Sequence, residues 1–139
     1  MAFFTGSLTL NTGGQTDILD ITSEVKRLIQ ESGFSTGLVT IFCPSSTSGV
    51  TTIEFESGAV SDLKRSWEEL IPSDREYSHN AAWGDGNGHS HIRASLLGPS
   101  LSIPIVEGSL SLGTWQQIVC VDFDIRPRQR DLVVQVMGE

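Results

Sequence analysis

The sequence has no run of about 18 apolar residues, the length a helix needs to cross a bilayer. Its opening residues, Met1 to Ser7, lack the basic and long apolar regions of a secretory signal. Both absences point to the cytoplasm and away from membranes. Cysteine is scarce. Cys43 and Cys120 are the only two, 77 positions apart, in neither a paired-cysteine nor a metal-finger spacing. That excludes a disulfide-stapled miniprotein. Each lies in an apolar, strand-like run, which predicts buried thiols. A nucleophilic thiol at Cys43, just before a loop, is the alternative. Basic residues are also few: 9 Lys and Arg stand against 17 Asp and Glu, a net charge of −8. Such a surface repels nucleic acid and anionic membranes. No serine has the glycine-flanked setting of a nucleophile elbow, and no phosphate-loop or dinucleotide fingerprint occurs.

What is present suits one folded unit. A chain of 139 residues is long enough to bury a core and short for two domains, so residues 1–139 are read as a single domain. A helix is predicted from Thr22 to Ser32, with Thr22 as N-cap, Glu24 in the first turn and Gly33 as the stop. Val25, Leu28 and Ile29 mark its buried face. A second helix is predicted from Ala59 to Ile71, with Val60, Leu63, Trp67 and Leu70 as its apolar stripe and Pro72 ending it.

Strands are predicted at Ser7 to Leu10, Leu38 to Cys43, Val50 to Glu56, Ile92 to Leu97, Leu101 to Val106, Ser109 to Leu112, Gln116 to Phe123 and Leu132 to Met137. The near-continuous apolar run Gln117 to Phe123 implies cover on both faces. Glu107-Gly108-Ser109 suits a hairpin, and Arg126 to Arg130 reads as a polar link before the last strand. Helices early and strands alone later indicate an α+β fold: two helices packed on a mostly antiparallel sheet or sandwich.

All three histidines, His79, His89 and His91, fall within 13 consecutive residues. In an extended stretch His89 and His91 leave the same face, and a loop returning from His79 adds a third imidazole. Three protein ligands plus an open position is the usual catalytic zinc arrangement, so a divalent metal, zinc first, is one reading. A polar surface loop is the other. Gly84 to Gly88 reads as a flexible turn or a phosphate cradle, with Asp85 available as a base. Ser45, in the loop Pro44 to Gly49, is a candidate anion contact. Arg126, Arg128 and Arg130 are expected to pair with Asp122, Asp124 and Asp131, at least two of them, or to meet a small anionic ligand. Trp115 is a core, interface or pocket residue.

The stretch Ser100 to Ile118, with its fixed order of Ser, apolar residues, Gly and then Gly113-Thr114-Trp115-Gln116, resembles the signature of the YjbQ-like family, also labelled secondary thiamine-phosphate synthase. His91 to Ser100 and the pattern from Asp20 to Glu56 extend the resemblance over nearly the whole chain. It implies a compact α+β domain, a homotrimer, and a polar site near subunit boundaries. His79 and His91 match the family's histidines, Glu54 its acidic position after the first loop, and Asp85 and Asn87 the polar residues before the second histidine. Arg93 and Arg130 match its basic positions. The implied activity joins a thiazole phosphate to a pyrimidine pyrophosphate. In that reading Arg93, Arg130, Ser45 and Asn87 hold phosphate, Trp115 stacks on a heterocycle, Asp85 and Glu54 serve acid–base roles, and the histidines hold the metal. The chain is far shorter than the (β/α)₈ barrel of about 250 residues expected of a dedicated synthase. It also has Ser45-Ser46 where many members have His-Thr. Either His89 replaces that imidazole or this branch has lost the metal. Two other readings are a metal- or anion-binding module without turnover and a metal-assisted hydrolase with Asp85 or Glu54 as base.

Overall fold

The computed structural model describes residues 1–139. In chain order its elements are β1 (Ala2–Thr12), β2 (Asp17–Asp20), α1 (Thr22–Ser32), β3 (Gly37–Phe42), β4 (Ser48–Ile53), α2 (Ser57–Leu70), α3 (Ser78–Trp83), α4 (Gly88–Leu97), β5 (Ser100–Val106), β6 (Ser109–Leu110), β7 (Gln117–Asp122) and β8 (Arg128–Gly138). The strands form a five-stranded sheet, β1-β8-β3-β5-β6, and a three-stranded sheet, β2-β7-β4. Every pairing is antiparallel. The fold is the expected α+β type, with two helices more than predicted.

Period-two burial builds the large sheet. Along β8, Leu132, Val134 and Val136 are buried while Asp131, Val133 and Gln135 are exposed, as the pleat requires. The inward residues of β3, β5 and β8 meet β7 and α1 in a core of 16 buried residues that includes Cys43 and Cys120. Helix α1 enters this core through Val25, Leu28 and Ile29 and stops at Gly33, whose φ of 71° suits glycine. Ile21, not Thr22, occupies its N-cap position. The Thr22 hydroxyl instead accepts from the Ile118 N–H, tying α1 to β7.

β7 is buried on both faces, as its continuous apolar run implied. Ile118 and Cys120 face the large core. Val119 and Val121, with Phe123 just beyond the strand, join Ile18 and Ala94 in a second cluster covered by Val60, Leu63, Trp67 and Leu97. Trp67 stands edge-on to Phe123, ring centroids 5.0 Å apart, within the range in which such pairs add stability. The molecule is therefore layered: large sheet, then α1 beside the small sheet, then α2 and α4. The β5–β6 hairpin turns at Glu107 and Gly108, both with positive φ, as a two-residue hairpin turn demands.

Several local predictions are corrected. Ile92 to Leu97 is not a strand but the second half of α4. Gly88, His89, Ser90, Arg93 and Ala94 are its buried positions and Leu97 is partly buried, a helical period hidden because polar and small residues occupy it. Glu56 does not continue β4. Its carboxylate caps α2, accepting from Gly58 and Ala59 N–H groups. Leu70 falls off the apolar stripe and is 73% exposed. Arg128 and Arg130 lie within β8 rather than in a link.

Candidate functional site

Two short helices, α3 and α4, carry the histidines over the small-sheet side of the molecule. The Gly84 to Asn87 loop joins them, with left-handed φ at Gly84 and Gly86. Close approaches fix their placement. A Cβ on Gly88 would lie 2.5 Å from Tyr77 Cβ, and one on Gly49 would lie 2.4 Å from the Gly98 carbonyl oxygen. Glycine at both positions seats α4 against the segment before α3 and against β4.

Because α4 is a helix, residues two apart point in different directions. His91 turns outward and meets His79 of α3, ring centroids 4.4 Å apart at 61°. His89 turns inward. It is 3% exposed, lies 6.2 Å from the Tyr77 ring, and its Nδ1 has no hydrogen-bond partner. Burial, then the charge of Arg93, holds its pKa below the ordinary histidine value. His79, His89 and His91 therefore do not converge. No three His, Cys, Asp or Glu side chains of one copy stand close enough to enclose an ion.

His79 Nε2 lies 3.0 Å from Asp85 Oδ1 and 3.0 Å from Asn87 Oδ1. The tautomer follows from the next partner. Asn87 Nδ2 donates to Asp124 Oδ1 at 3.3 Å, so the amide oxygen faces His79 as an acceptor. His79 Nε2 is then the donor, and in the neutral ring Nδ1 carries the free lone pair.

The relay continues inward. Burial opposes ionisation of Asp124, but the N–H of Ile125, Arg128 and Asn87 outweigh it and keep its pKa below the usual carboxylate value. Arg128 Nε donates to Asp124 at 2.7 Å. Arg130 Nε donates to the fully buried Asp122 at 2.8 Å, and its Nη2 donates to Thr47 Oγ1 at 2.7 Å. Burial works against the Arg130 charge and Asp122 restores it, so the Arg130 pKa lies above its ordinary value. Two of the three clustered arginines thus pair with aspartates, as their spacing predicted.

The remaining candidates are dispersed. Arg93 is buried: Nε and Nη2 donate to the Ile71 carbonyl, Nη1 to Thr16 Oγ1, and Nη2 to Glu68 at 2.8 Å. Thr16, a β-branched residue at φ 63°, is held in that uncommon conformation. Arg93 joins α4, α2 and the β1–β2 turn. Glu54 is exposed just past β4, and Trp115 is 72% exposed in the turn before β7. Ser45 lines a hollow of about 340 Å³ with Ser46, Ser48, His91, Ser95 and Pro99. Asp85 and Asn87 line a neighbouring hollow of about 290 Å³ with Asp124, Arg126 and Arg128. Thr47 and Ser48 belong to the loop whose hydroxyls are expected to bind an anion, and the structure instead gives them Arg130 and Cys43 as partners. Their only signal was membership of a hydroxyl-rich loop between strands.

The comparisons agree with this architecture. A family model described as "UPF0047 protein YjbQ-like" matches residues 6–139. A UPF0047 protein of Methanothermobacter thermautotrophicus is 40% identical over all of this chain and 95% of its own length. The UPF0047 protein YugU of Bacillus subtilis is 34% identical over 95% of this chain and 98% of its own. A crystal structure of a YbjQ-like protein of unknown function from Sulfolobus solfataricus superposes with a TM-score of 0.95, 31% identity and 99% coverage of both chains. A YjbQ/UPF0047 protein of Clostridium acetobutylicum superposes with a TM-score of 0.88 and 36% identity, covering 95% of this chain and 99% of its own. Sequence and fold agree along the full length, and the chain belongs to the UPF0047 YjbQ-like family.

Proposed function

We propose that the His79–His91 cluster binds a divalent metal, zinc first, beside a small phosphorylated ligand, and that the site supports secondary thiamine-phosphate synthase chemistry. One observation carries this reading. Asp85 and Asn87 fix the His79 tautomer so that Nδ1 is the free nitrogen, in a ring packed against His91. A carboxylate on the far nitrogen is the usual support of a metal-bound imidazole. The donor set fits an open two-imidazole site rather than a closed structural zinc site, which needs four protein ligands. The metal supplies positive charge against a leaving pyrophosphate. Its remaining positions fall to ligand oxygens, water or a side chain of a neighbouring copy.

The chain's own groups have separate roles. Ser45, on the rim of the hollow that His91 shares, contacts the phosphate. Arg130 and Arg128 set a positive field, tempered by Asp122 and Asp124, and Asn87 positions His79. Asp85 accepts the Nε2 proton of His79 in a hydrogen bond, which leaves Nδ1 as the nitrogen free to bind. Arg93 acts through the fold, since its donors are committed to protein oxygens. Glu54 and Trp115, both exposed, serve a ligand that another copy helps to enclose.

That last role fits a homotrimer. The outer face of the large sheet carries cross-strand neighbours Phe3, Met137, Leu38 and Pro104 in one row, and Ser7, Val133, Phe42 and Ser100 in another. Thr5, Gln135, Thr40 and Ser102 lie between them, so the three rows contain no charged residue. In a chain of net charge −8, an uncharged face is where copies meet at least electrostatic cost. Sedimentation of a single monomeric species at micromolar concentration would contradict it.

Zinc titration by calorimetry tests the site. His79→Ala and His91→Ala should each abolish binding, and Asp85→Asn should weaken it about tenfold. In parallel, pyrophosphate release from the two thiamine precursors should fall with the same variants. Zinc affinity and release both unchanged in His79→Ala and His91→Ala would sink the reading.

A further inference from the structure

Of all the Asp and Asn residues in the chain, only Asp85 and Asn87 precede a glycine, and they stand two positions apart in the loop between α3 and α4. In such a pair the glycine nitrogen can attack the side-chain carbonyl carbon of the residue before it. Covalent connectivity sets the reach, because the attack closes a five-membered ring, and glycine has no Cβ to obstruct its nitrogen. The fold then decides whether the reaction runs. The backbone N–H must be free, the chain must have room to turn, and water must have access. One pair has all of these and the other has none.

Asn87-Gly88 is closed. Both residues are buried, and Gly88 opens α4. The Gly88 N–H donates to Asn80 Oδ1 at 2.9 Å. The Asn87 amide is held at both ends, its oxygen by His79 and its nitrogen by Asp124. Tyr77, crowded against Gly88, leaves the backbone no room to turn. Asp85-Gly86 is open. Both residues are exposed and lie outside every helix and strand. The Gly86 N–H meets no protein acceptor. A Cβ built on Gly86, at φ 72°, would meet only Ile125 Cδ1, at 3.8 Å. The Asp85 carboxylate is 47% exposed and touches one partner, His79 Nε2, a surface contact that solvent weakens.

We infer that Asp85-Gly86 is a site of spontaneous isomerisation to isoaspartate, which withdraws the carboxylate from His79, and that the fold spares the adjacent Asn87-Gly88. Gly86 nitrogen bonds to Asp85 Cγ, and the carboxyl C–O bond breaks. The hydroxyl leaves as water with the nitrogen's proton, and a succinimide remains. Water then adds to either ring carbonyl and breaks its bond to nitrogen. Addition at Cγ restores aspartate. Addition at the original main-chain carbonyl carbon gives isoaspartate, with the chain now running through Cβ and Cγ. Nothing is oxidised or reduced, and the final mass equals the starting mass. The main chain gains one methylene, and the free carboxylate is left directly on Cα, off the side-chain arm that reached His79.

The test stores the folded full-length chain at neutral pH and physiological temperature and samples it over weeks, with an unstored sample correcting for isomerisation during digestion. Electron-transfer fragmentation of the tryptic peptide Glu76 to Arg93 locates each isoaspartate. Isoaspartate should rise at position 85 through a species lighter by one water, while Asn87 keeps its amide. A chain held unfolded in guanidinium chloride should reverse the order, since an amide leaves more readily than a carboxyl hydroxyl once the fold no longer protects it. Asp85→Glu, whose ring closure is six-membered and slower, should remove the signal at position 85. In the isomerised fraction the nitrogen-15 spectrum should shift at His79 Nε2 and not at the buried His89. Conversion of Asn87 ahead of Asp85 in the folded chain would overturn the inference. So would no isoaspartate at position 85 over a time in which the unfolded chain converts Asn87, or an unmoved His79 in the isomerised fraction.

Discussion

The molecule has two interiors, and they are built from different materials. The core between the sheets contains 16 residues, all hydrocarbon side chains apart from two thiols. The cluster between the small sheet and helices α2 and α4 has five. Around that thin cluster the buried positions are polar: Asn87, His89, Ser90, Arg93 and Asp124. Apolar burial holds the first interior, at about 25 cal/mol per Å². The second depends on geometry, because each buried polar group must find its partner or cost stability. The candidate site sits on the second. Its side chains are aimed by hydrogen bonds that also hold the layer together.

The sharpest way to break the comparison is at Ile118, fully buried in the large core. Ile118→Ala should cost about 4 kcal/mol in chemical denaturation, the cavity range for a core that cannot collapse. Arg93→Met, in the polar interior, should cost about 3 kcal/mol, because Glu68, Thr16 and the Ile71 carbonyl lose their donor. A loss below about 1 kcal/mol would make Arg93 filler and erase the distinction between the interiors.

A smaller effect is set by pH. The His89 pKa is depressed in the folded state, so the unfolded chain binds more protons near its ordinary value of 6.5. Stability from this group is full above that pH and is lost as pH falls through it. A second loss comes at lower pH from carboxylates whose folded pKa is also depressed. For Glu68, held to about 2 by the Ser73 N–H and by Arg93, it begins below 4.5 and ends near 2. Thermal melts should fall in two stages on acidification, and His89→Phe should remove the upper one. An unchanged upper stage in that variant would assign it to another group.

Legibility in the sequence divided along the same line. The strands of the large sheet and the helix α1 could be read from alternation and helical spacing, because their inward residues are apolar. The apolar run of β7 announced a strand covered twice. The polar layer defeated the same reasoning. In α4 the inward positions are Gly88, His89, Ser90, Arg93 and Ala94, so the helical period is carried mostly by residues that a hydrophobicity pattern scores as surface, and Ile92 to Leu97 reads as strand. That one error misplaced His89. An extended backbone would put it beside His91, whereas the helix sends it into the interior. Asp85 and Asn87 were legible as candidates by type, and the pairing of Arg128 and Arg130 with aspartates by proximity. The partners of Thr47 and Ser48 were not, since a hydroxyl in a loop becomes specific only when a guanidinium or a thiol is brought to it.

The sequence by itself determined the α+β unit, the net charge of −8, the strands of the large core and the family signature from Ser100 to Ile118. These depend on local period, composition and order, which chain neighbours settle. Only the tertiary structure decided which histidines meet, that Arg93 braces α4, α2 and the β1–β2 turn, and that Cys43 and Cys120, 77 positions apart, share one core. Those outcomes rest on partners far apart in the chain. A polar side chain's role is fixed by what finally stands within about 3 Å of it, and no local pattern encodes that.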